Sequence, residues 1–431
     1  MTLVWAIIVI GAVYGFLKDK PHLIWYGVAV SPMMEVLARM TRAPLLPYEI
    51  GKYFLVLSIG LIFLHHYLKG ANSPRFKIGY VVIALLVPGI FVNIMLFDYE
   101  QWVFNALAIF ELAALLILVS KERWEMERFC RTLQYALIPA VFLAVHLSLT
   151  ASDFSSIVFE LRSNALASGG FGSNQVSTVL GLAIAIVIIL YVLRRPLFQL
   201  GILNYILLGI LVFRGLLTFS RGGMIVAVIA VAIVMIPSIF LSYRSFLRFL
   251  FVGTLIGGLG FAIFTKVDQI TGNTLSLRYK GESYSTAHGY QEKTLNVVLS
   301  GRENIIISDF LIFRDHLAFG AGPGTSKNIR RRYGYANMTA HTEFSRLLSE
   351  HGIGGLIVVC IISIFPFWWM SKQRLLAWRY VVAALFAIAV LTTFHAAMRT
   401  NTTIVCYVFA AVPMLYSYSK FEKQDDNIYR Q

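Results

Sequence analysis

The chain has 431 residues, of which 58% are hydrophobic and only 14% are charged, and its mean hydropathy is +0.72. This composition excludes a soluble globular protein, in which roughly a quarter of the residues are charged. The formal net charge of +15 would favour nucleic-acid binding in a soluble protein. In a membrane protein, however, basic residues accumulate in cytoplasmic loops. We therefore expect the lipid bilayer as a partner and no nucleic acid.

Apolar segments long enough to be considered as membrane spans recur along most of the chain, because a helix needs about 20 apolar residues to cross a bilayer. They lie at about residues 2–17, 22–38, 52–68, 77–97, 101–120, 132–150, 174–193, 197–219, 223–242, 246–265, 353–371, 375–395 and 401–418. The second is the weakest, since it contains Pro32, Glu35 and Arg39, and it is either a span or a re-entrant or interfacial segment. The sequence thus predicts an all-α, polytopic integral membrane protein with about 12 transmembrane helices.

The orientation follows from lysines and arginines, which collect in alternate short loops and mark the cytoplasmic side. These loops lie at about residues 69–77, 121–131, 194–195, 244–248, 372–374 and 420–430. The long break at residues 266–351 is then external, between membrane parts at residues 1–265 and 352–431. The number of spans decides the side of the membrane on which Lys18 and Lys20 lie: they are cytoplasmic if the chain has 13 spans and external if it has 12. We prefer 12 spans, with both termini in the cytoplasm.

The first candidate for binding chemistry is Arg214-Gly-Leu-Leu-Thr-Phe-Ser-Arg221-Gly-Gly, at the external end of an apolar segment. On a continuous helix, Arg214 and Arg221 would share one face. Arginine is costly at membrane depth, and its planar guanidinium suits bidentate binding of phosphate. The two glycines would let a ligand approach the backbone. The alternative is that Arg221 extends to the lipid headgroups and that Arg214 pairs with an internal acid such as Glu111.

The long external segment offers two further candidates. Arg302 begins an apolar-periodic run that ends in Phe319-Gly-Ala-Gly-Pro-Gly324, a pattern typical of an amphipathic helix on the outer leaflet. His341 is spaced from Gly352 and Gly355 so that all three would lie near one helix face. A neutral histidine held at the membrane surface can act as a general base. A solvated arginine and a structural histidine are the alternatives.

One more polar segment, Gly169-Gly-Phe-Gly-Ser-Asn174-Gln175, precedes an apolar run, and Arg162 lies shortly before it. Asn174 either caps the following helix or contacts a sugar or phosphate.

Several kinds of site are missing from the sequence. There is no pair of carboxylates in the external segment spaced for a metal or a glycosidase, no Walker-type loop and no serine nucleophile motif. The cysteines Cys130, Cys360 and Cys406 are not spaced as a metal or redox pair, so we expect no disulfide and no zinc site. The chemistry should need no metal, nucleotide or other cofactor. The N-terminal run lacks the features of a cleaved signal peptide.

These segments together resemble the O-antigen ligase/polymerase superfamily. The resemblance rests on the many spans, the large external segment late in the chain, Thr-Phe-Ser-Arg221-Gly-Gly, Ser-Gly-Arg302, Gly-Ser-Asn174-Gln175, and His341 followed by Gly352 and Gly355. It extends from about Ser163 to the C-terminus, whereas the first 150 residues match only in hydrophobicity. Leu356 and Ile357 replace two threonines of the ligase pattern, which leaves the acceptor open.

The resemblance implies a GT-C-like glycosyltransferase of the bacterial inner membrane, with its active site facing the periplasm. The donor would be an undecaprenyl-diphosphate-linked glycan, and the acceptor a hydroxyl of lipid A core or of a growing polysaccharide. Arg221 and Arg302 would bind the diphosphate, and His341 would deprotonate the acceptor in a metal-independent, inverting transfer. The alternative is that His341 binds phosphate and another residue acts as the base. Further contacts with the diphosphate or glycan are expected from Arg214, Arg162, Asn174, Arg314 and Glu343.

Other functions stay open at this point. Within the superfamily, the histidine spacing favours a ligase over a polymerase. A carrier or flippase for lipid-linked sugars would also use external arginines, but the sequence has no internal repeat of the kind common in transporters. A non-catalytic assembly subunit would leave the arginines and His341 without a role.

Overall fold

A computed structural model of the chain describes residues 1–70, 73–92, 100, 103, 105–150, 157–237, 243–294, 302–337, 342–398 and 400–415. The predicted all-α class is confirmed over these residues, which form helices and connecting turns. Trp124 and Met414 form an isolated bridge between two connecting segments.

The helices are numbered here in chain order. They are α1 (Thr2–Leu17), α2 (His22–Met40), α3 (Ile50–Lys69), α4 (Ile78–Phe91), α5 (Leu107–Val119), α6 (Met126–Thr150), α7 (Ser173–Val192), α8 (Gly201–Leu217), α9 (Arg221–Met235), α10 (Tyr243–Ile270), α11 (Thr274–Tyr279), α12 (Tyr284–Ala287), α13 (Arg302–Asp315), α14 (Ser326–Ile329), α15 (Glu343–Ser371), α16 (Leu376–His395) and α17 (Thr402–Ala410).

Six of the described helices are long and apolar enough to cross a membrane. They are α3, α6, α7, residues Phe249–Ile270 of α10, α15 and α16. Shorter apolar helices are α1, α4, α5, α8 and α9. The chain is therefore a multi-pass membrane protein, and the expected total of about 12 spans stays a prediction.

Helix α2 is a continuous, largely buried helix, although its sequence made it the weakest candidate span. Its charges are paired inside the protein. Arg39 binds Glu35 at 2.6 Å and Glu49 at 3.2 Å, and Lys52 binds Glu49 at 2.9 Å. Because a buried charge is tolerated when it is paired, these residues do not prevent α2 from running through the bundle.

The end of α1 lies beside the end of α3. Asp19 binds Lys69 at 2.7 Å, and at the other end of α1 the Thr2 hydroxyl donates to the carbonyl of Pro44 at 2.7 Å. Lys18 and Lys20 therefore lie at the same end of the bundle as the basic loop after α3. This is the arrangement that the 13-span alternative requires, and the number of spans stays a prediction.

Asp309 of α13 joins two other parts of the segment at residues 266–351, through a buried ion pair and a hydrogen bond to the start of α15. Arg330 binds Asp309 of α13, and its Nε also donates to the Ser308 hydroxyl at 3.0 Å. The hydroxyl of Ser345, in the first turn of α15, donates to the same aspartate at 2.6 Å. The predicted helix that begins at Arg302 is confirmed, and these contacts fix it in place.

The orientation of α1 can be tested by labelling single cysteines with a membrane-impermeant maleimide in a variant in which the exposed Cys360 is replaced by serine. Lys20→Cys and Arg123→Cys are expected to react from one side of the membrane, and Pro44→Cys from the other. Reaction of Lys20→Cys from the same side as Pro44→Cys would contradict the placement of α1.

Candidate functional site

Arg214 and Arg221 lie on different helices. Helix α8 ends at Leu217, and Phe219 has a left-handed backbone with φ of 56°, so that α9 begins at Arg221. The prediction that the two arginines share one helical face is therefore wrong. Arg214 Nε donates to the Ser148 hydroxyl at 3.3 Å. The alternative, in which Arg214 pairs with Glu111, is not observed, since neither carboxylate oxygen of Glu111 has a hydrogen-bond partner among the described residues.

Arg221 lies instead in a cluster with Arg278 and Arg302. Its Nη1 donates to the backbone carbonyl of Arg278 at 3.1 Å. Burial and repulsion by Arg221 and Arg302 lower the pKa of Arg278 from 12.5 to about 10, and burial and Arg221 also lower the pKa of Arg302. A pKa of about 10 leaves Arg278 charged at neutral pH. Burial raises the pKa of the neighbouring Tyr279 to about 12, so its phenol stays protonated.

His395, at the end of α16, connects the elements of this cluster. Its backbone carbonyl accepts from Arg302 Nη2 at 3.2 Å, and its ring Nε2 is 3.0 Å from the hydroxyl of Thr178 in α7. The second ring nitrogen is 3.2 Å from the carbonyl of Leu391. Helices α7, α9, α13 and α16 therefore meet at this histidine. We name Arg221, Arg278, Arg302 and His395 the arginine site.

The glycines that follow Arg221 allow this close packing. A Cβ atom on Gly222 would lie 2.6 Å from the ring of His395, and one on Gly223 would lie 2.4 Å from the backbone carbonyl of Ser177. Protein atoms therefore fill the space that we expected a ligand to use. The glycines position Arg221 by letting α9 approach α7 and α16.

Asn174 lies inside the first turn of α7, and Gly172 occupies the cap position, so the capping interpretation is wrong. The side-chain oxygen of Asn174 accepts from the Ser220 hydroxyl at 2.8 Å, and its backbone carbonyl accepts from Thr178 at 2.7 Å. Asn174 thus holds the residue before Arg221 and the residue that contacts His395.

Glu343 belongs to a buried ion-pair network. Arg346 binds Glu343 and also donates to Glu350 at 3.0 Å. The carboxylate of Glu343 accepts in addition from the backbone N–H of Met398 at 3.2 Å. These contacts link the start of α15 to the segment that follows His395.

The glycine-rich turn after α13 packs on the backbone of α15. A Cβ on Gly320 would lie 2.3 Å from the backbone of His351, and the N–H of Ile353 donates to the carbonyl of Leu317 at 2.8 Å. Gly352 leaves the helical conformation here, with φ of 59° and ψ of −137°. This turn is therefore occupied by protein contacts.

His341 lies outside the described residues. Its expected placement on one helix face with Gly352 and Gly355 stays a prediction. Among the described residues, α15 begins at Glu343 and leaves the helical conformation at Gly352.

Arg162 and Arg314 are exposed at the surface. The side chain of Arg162 is 79% exposed and binds Glu160 at 2.6 Å, and that of Arg314 is 68% exposed and binds Asp315 at 2.8 Å. No contact described here joins either arginine to the arginine site. Within the same part of the chain, no group of three histidine, cysteine or acidic side chains is placed to hold a metal ion.

Residues 206–360 match a family model described as O-Antigen ligase. The predicted resemblance to the O-antigen ligase/polymerase superfamily is thereby confirmed. The matched segment contains Arg221, Arg278 and Arg302, whereas Asn174 and His395 lie outside it. The match supports a glycosyltransferase of the O-antigen ligase or polymerase type. No curated protein matches the chain in a sequence search.

Replacing the two glycines of α9 tests this packing. Gly223→Ala is expected to lower the free energy of unfolding by about 1–3 kcal/mol, because the added methyl meets fixed backbone. Gly222→Ala should cost less, since the His395 side chain can shift. Gly60→Ala is the matched control, because nothing lies within 4 Å of its Cβ position. Equal melting temperatures of the purified Gly223→Ala and Gly60→Ala proteins would contradict the packing.

Proposed function

We propose that this protein is an inverting, metal-independent glycosyltransferase of the bacterial inner membrane. It transfers a glycan from undecaprenyl diphosphate to an acceptor hydroxyl at the periplasmic face, as in ligation of O-antigen to lipid A core. The observation that carries the proposal is that Arg221 and Arg302, far apart in sequence, meet in one site within the segment that matches the O-antigen ligase family.

Arg221 and Arg302 bind the diphosphate of the donor. Both guanidiniums are oriented by backbone carbonyls, those of Arg278 and His395, before a substrate arrives. Charged donors held in advance stabilise the charge that develops on a leaving group without the cost of reorganisation. Because a diphosphate already leaves readily, this stabilisation and activation of the acceptor are the main tasks of the enzyme.

His341 acts as the general base of the transfer. The acceptor oxygen attacks the anomeric carbon from the face opposite the diphosphate, which gives inversion. The acceptor proton moves to the imidazole, and the electron pair of the broken carbon–oxygen bond stays on the diphosphate. The segment that contains His341 leads into α15, whose first turn is fixed to α13 through Ser345 and Asp309.

The other candidate residues divide into two groups by their contacts. Asn174 and Glu343 are held by protein partners that position the arginine site, as described above. Direct contact of the glycan or diphosphate with Arg214, Arg162, Asn174, Arg314 or Glu343 stays a prediction. So does the arrangement in which membrane parts at residues 1–265 and 352–431 flank an external segment at residues 266–351.

Three alanine variants are each expected to reduce the rate of glycan transfer by about 10²–10³-fold: Arg221→Ala, Arg302→Ala and His341→Ala. The first two remove a positively charged hydrogen-bond donor, and the third removes the general base. The measurement is mass spectrometry of reconstituted protein with an undecaprenyl-diphosphate-linked glycan and candidate acceptors, without added metal or nucleotide. Arg332→Gln, which removes an exposed arginine of the same external segment, is the control and should keep normal turnover.

The products of the same assay separate the possible functions. Glycan joined to lipid A core supports the ligase, and a ladder of repeats on one lipid would identify a polymerase of the same superfamily. Donor that stays intact with every acceptor, yet moves between leaflets, would contradict a transferase and favour a flippase. Normal turnover by folded His341→Ala protein would exclude this histidine as the base.

A further inference from the structure

Arg278 lies in none of the segments that carried the family resemblance, yet the structure places it in the arginine site. It belongs to the short helix α11, which follows α10 directly. Its own carbonyl accepts from Arg221 at 3.1 Å, and its Nη1 donates to the carbonyl of Leu161 at 3.0 Å. The guanidinium is thus oriented by backbone and lies beside Arg221.

Two features of Arg278 indicate that it is built to meet an anion. Its residue surface is only 9% exposed, and its Nε is buried without a hydrogen-bond partner among the described residues. In the same part of the chain, neither Arg278 nor Arg302 forms an ion pair with a carboxylate. A buried guanidinium with an open donor, close to two others, is costly unless an anion binds there.

We propose that Arg278 is a third diphosphate-binding residue, which matches the negative charge that appears when the donor bond breaks. The inference rests on the proposed function and adds a residue to the same site. Like Arg221 and Arg302, it stabilises the charge that develops in the transition state, and it supplies the third positive charge of the site.

The charge balance of the reaction gives the reason. In the donor, the diphosphate joins lipid and glycan, and each phosphate carries one negative charge. When the anomeric carbon–oxygen bond breaks, its electron pair stays on the terminal phosphate oxygen, while the acceptor proton moves to the base. Two guanidiniums, those of Arg221 and Arg302, match the two charges of the donor, and the third, that of Arg278, is needed when the third charge develops. An interaction that strengthens in the transition state raises kcat more than it lowers KM.

Steady-state kinetics of reconstituted protein test the proposal first. Arg278→Gln is expected to lower kcat by about 10²-fold, with the KM for the donor changed only a few-fold. Arg332→Gln is the matched control, because it removes the same charge from an exposed position. An unchanged kcat in a folded Arg278→Gln protein would overturn the inference.

The pH profile of Arg278→Lys separates a charge role from a structural one. The surroundings, which include Arg221, Arg302 and Tyr279, lower the pKa of Arg278 from 12.5 to about 10. The same burial and neighbouring positive charges lower the pKa of a lysine at this position below its ordinary value of about 10.4. The lysine is charged below its pKa and neutral above it. Activity of Arg278→Lys should therefore fall as the pH rises toward that pKa, at a lower pH than any fall in the wild type or in Arg332→Gln. A profile parallel to the wild type would overturn the charge role.

Binding of inorganic pyrophosphate distinguishes failure of this inference from failure of the proposed function. Wild-type protein is expected to bind it, as measured by calorimetry, and Arg278→Gln to bind at least about tenfold more weakly. If the wild type binds pyrophosphate and Arg278→Gln does not, but the wild type transfers no glycan, the anion-binding role of Arg278 stands. The proposed transferase function is then overturned. Equal binding by the two proteins, or none by the wild type, would overturn the role of Arg278.

Discussion

Arg221, Arg278 and Arg302 repel one another in a site where Arg278 is buried and the other two are partly buried, so contacts of the surrounding fold must hold them together. Backbone carbonyls orient all three guanidiniums. Gly222 and Gly223 let α9 pack closely against α16 and α7, which fixes Arg221 at the start of its helix. A bound anion would lower the repulsion between these like charges, which is why we propose that the site binds a diphosphate.

Several of the contacts that hold the arginine site together come from the connection between α16 and α17. The carbonyl of His395 binds Arg302, the N–H of Met398 binds Glu343, and the N–H of Asn401 donates to Glu35 at 3.0 Å. Backbone polar groups are costly in a membrane interior unless they are paired, and here they are paired with charged side chains from three distant parts of the chain. The arginine site is thereby linked to the paired charges of α2.

Much of the fold could be predicted from the sequence, because long apolar runs are a strong and local signal. The sequence makes α2 the weakest candidate span because Glu35 and Arg39, as separate charges, are costly to bury. Their pairing in the structure removes most of that burial cost. The prediction of a single helix from Arg214 to Arg221 is wrong because the chain leaves the helical conformation at Phe219. Nothing in the surrounding sequence indicates the left-handed backbone of this residue. His395 and Arg278 were missed because only contacts between distant segments reveal them.

The sequence segments that resemble the family contain Arg221 and Arg302, which the structure places in one site. The roles predicted for the residues beside them differ from those that the structure indicates. The sequence predicts that Gly222 and Gly223 leave room for a ligand, whereas the structure fills that space with protein atoms. A glycine in a sequence indicates that another group packs closely against the backbone, but it does not identify whether that group is a ligand or the protein itself.

The central claim is that the arginine site binds the diphosphate of a lipid-linked glycan. A cryo-electron microscopy structure of the protein in lipid nanodiscs, with an undecaprenyl-diphosphate-linked glycan bound, tests it most directly. The account predicts diphosphate oxygens within hydrogen-bond distance of Arg221 and Arg302. A diphosphate bound elsewhere, with the arginine site unchanged and empty, would contradict it.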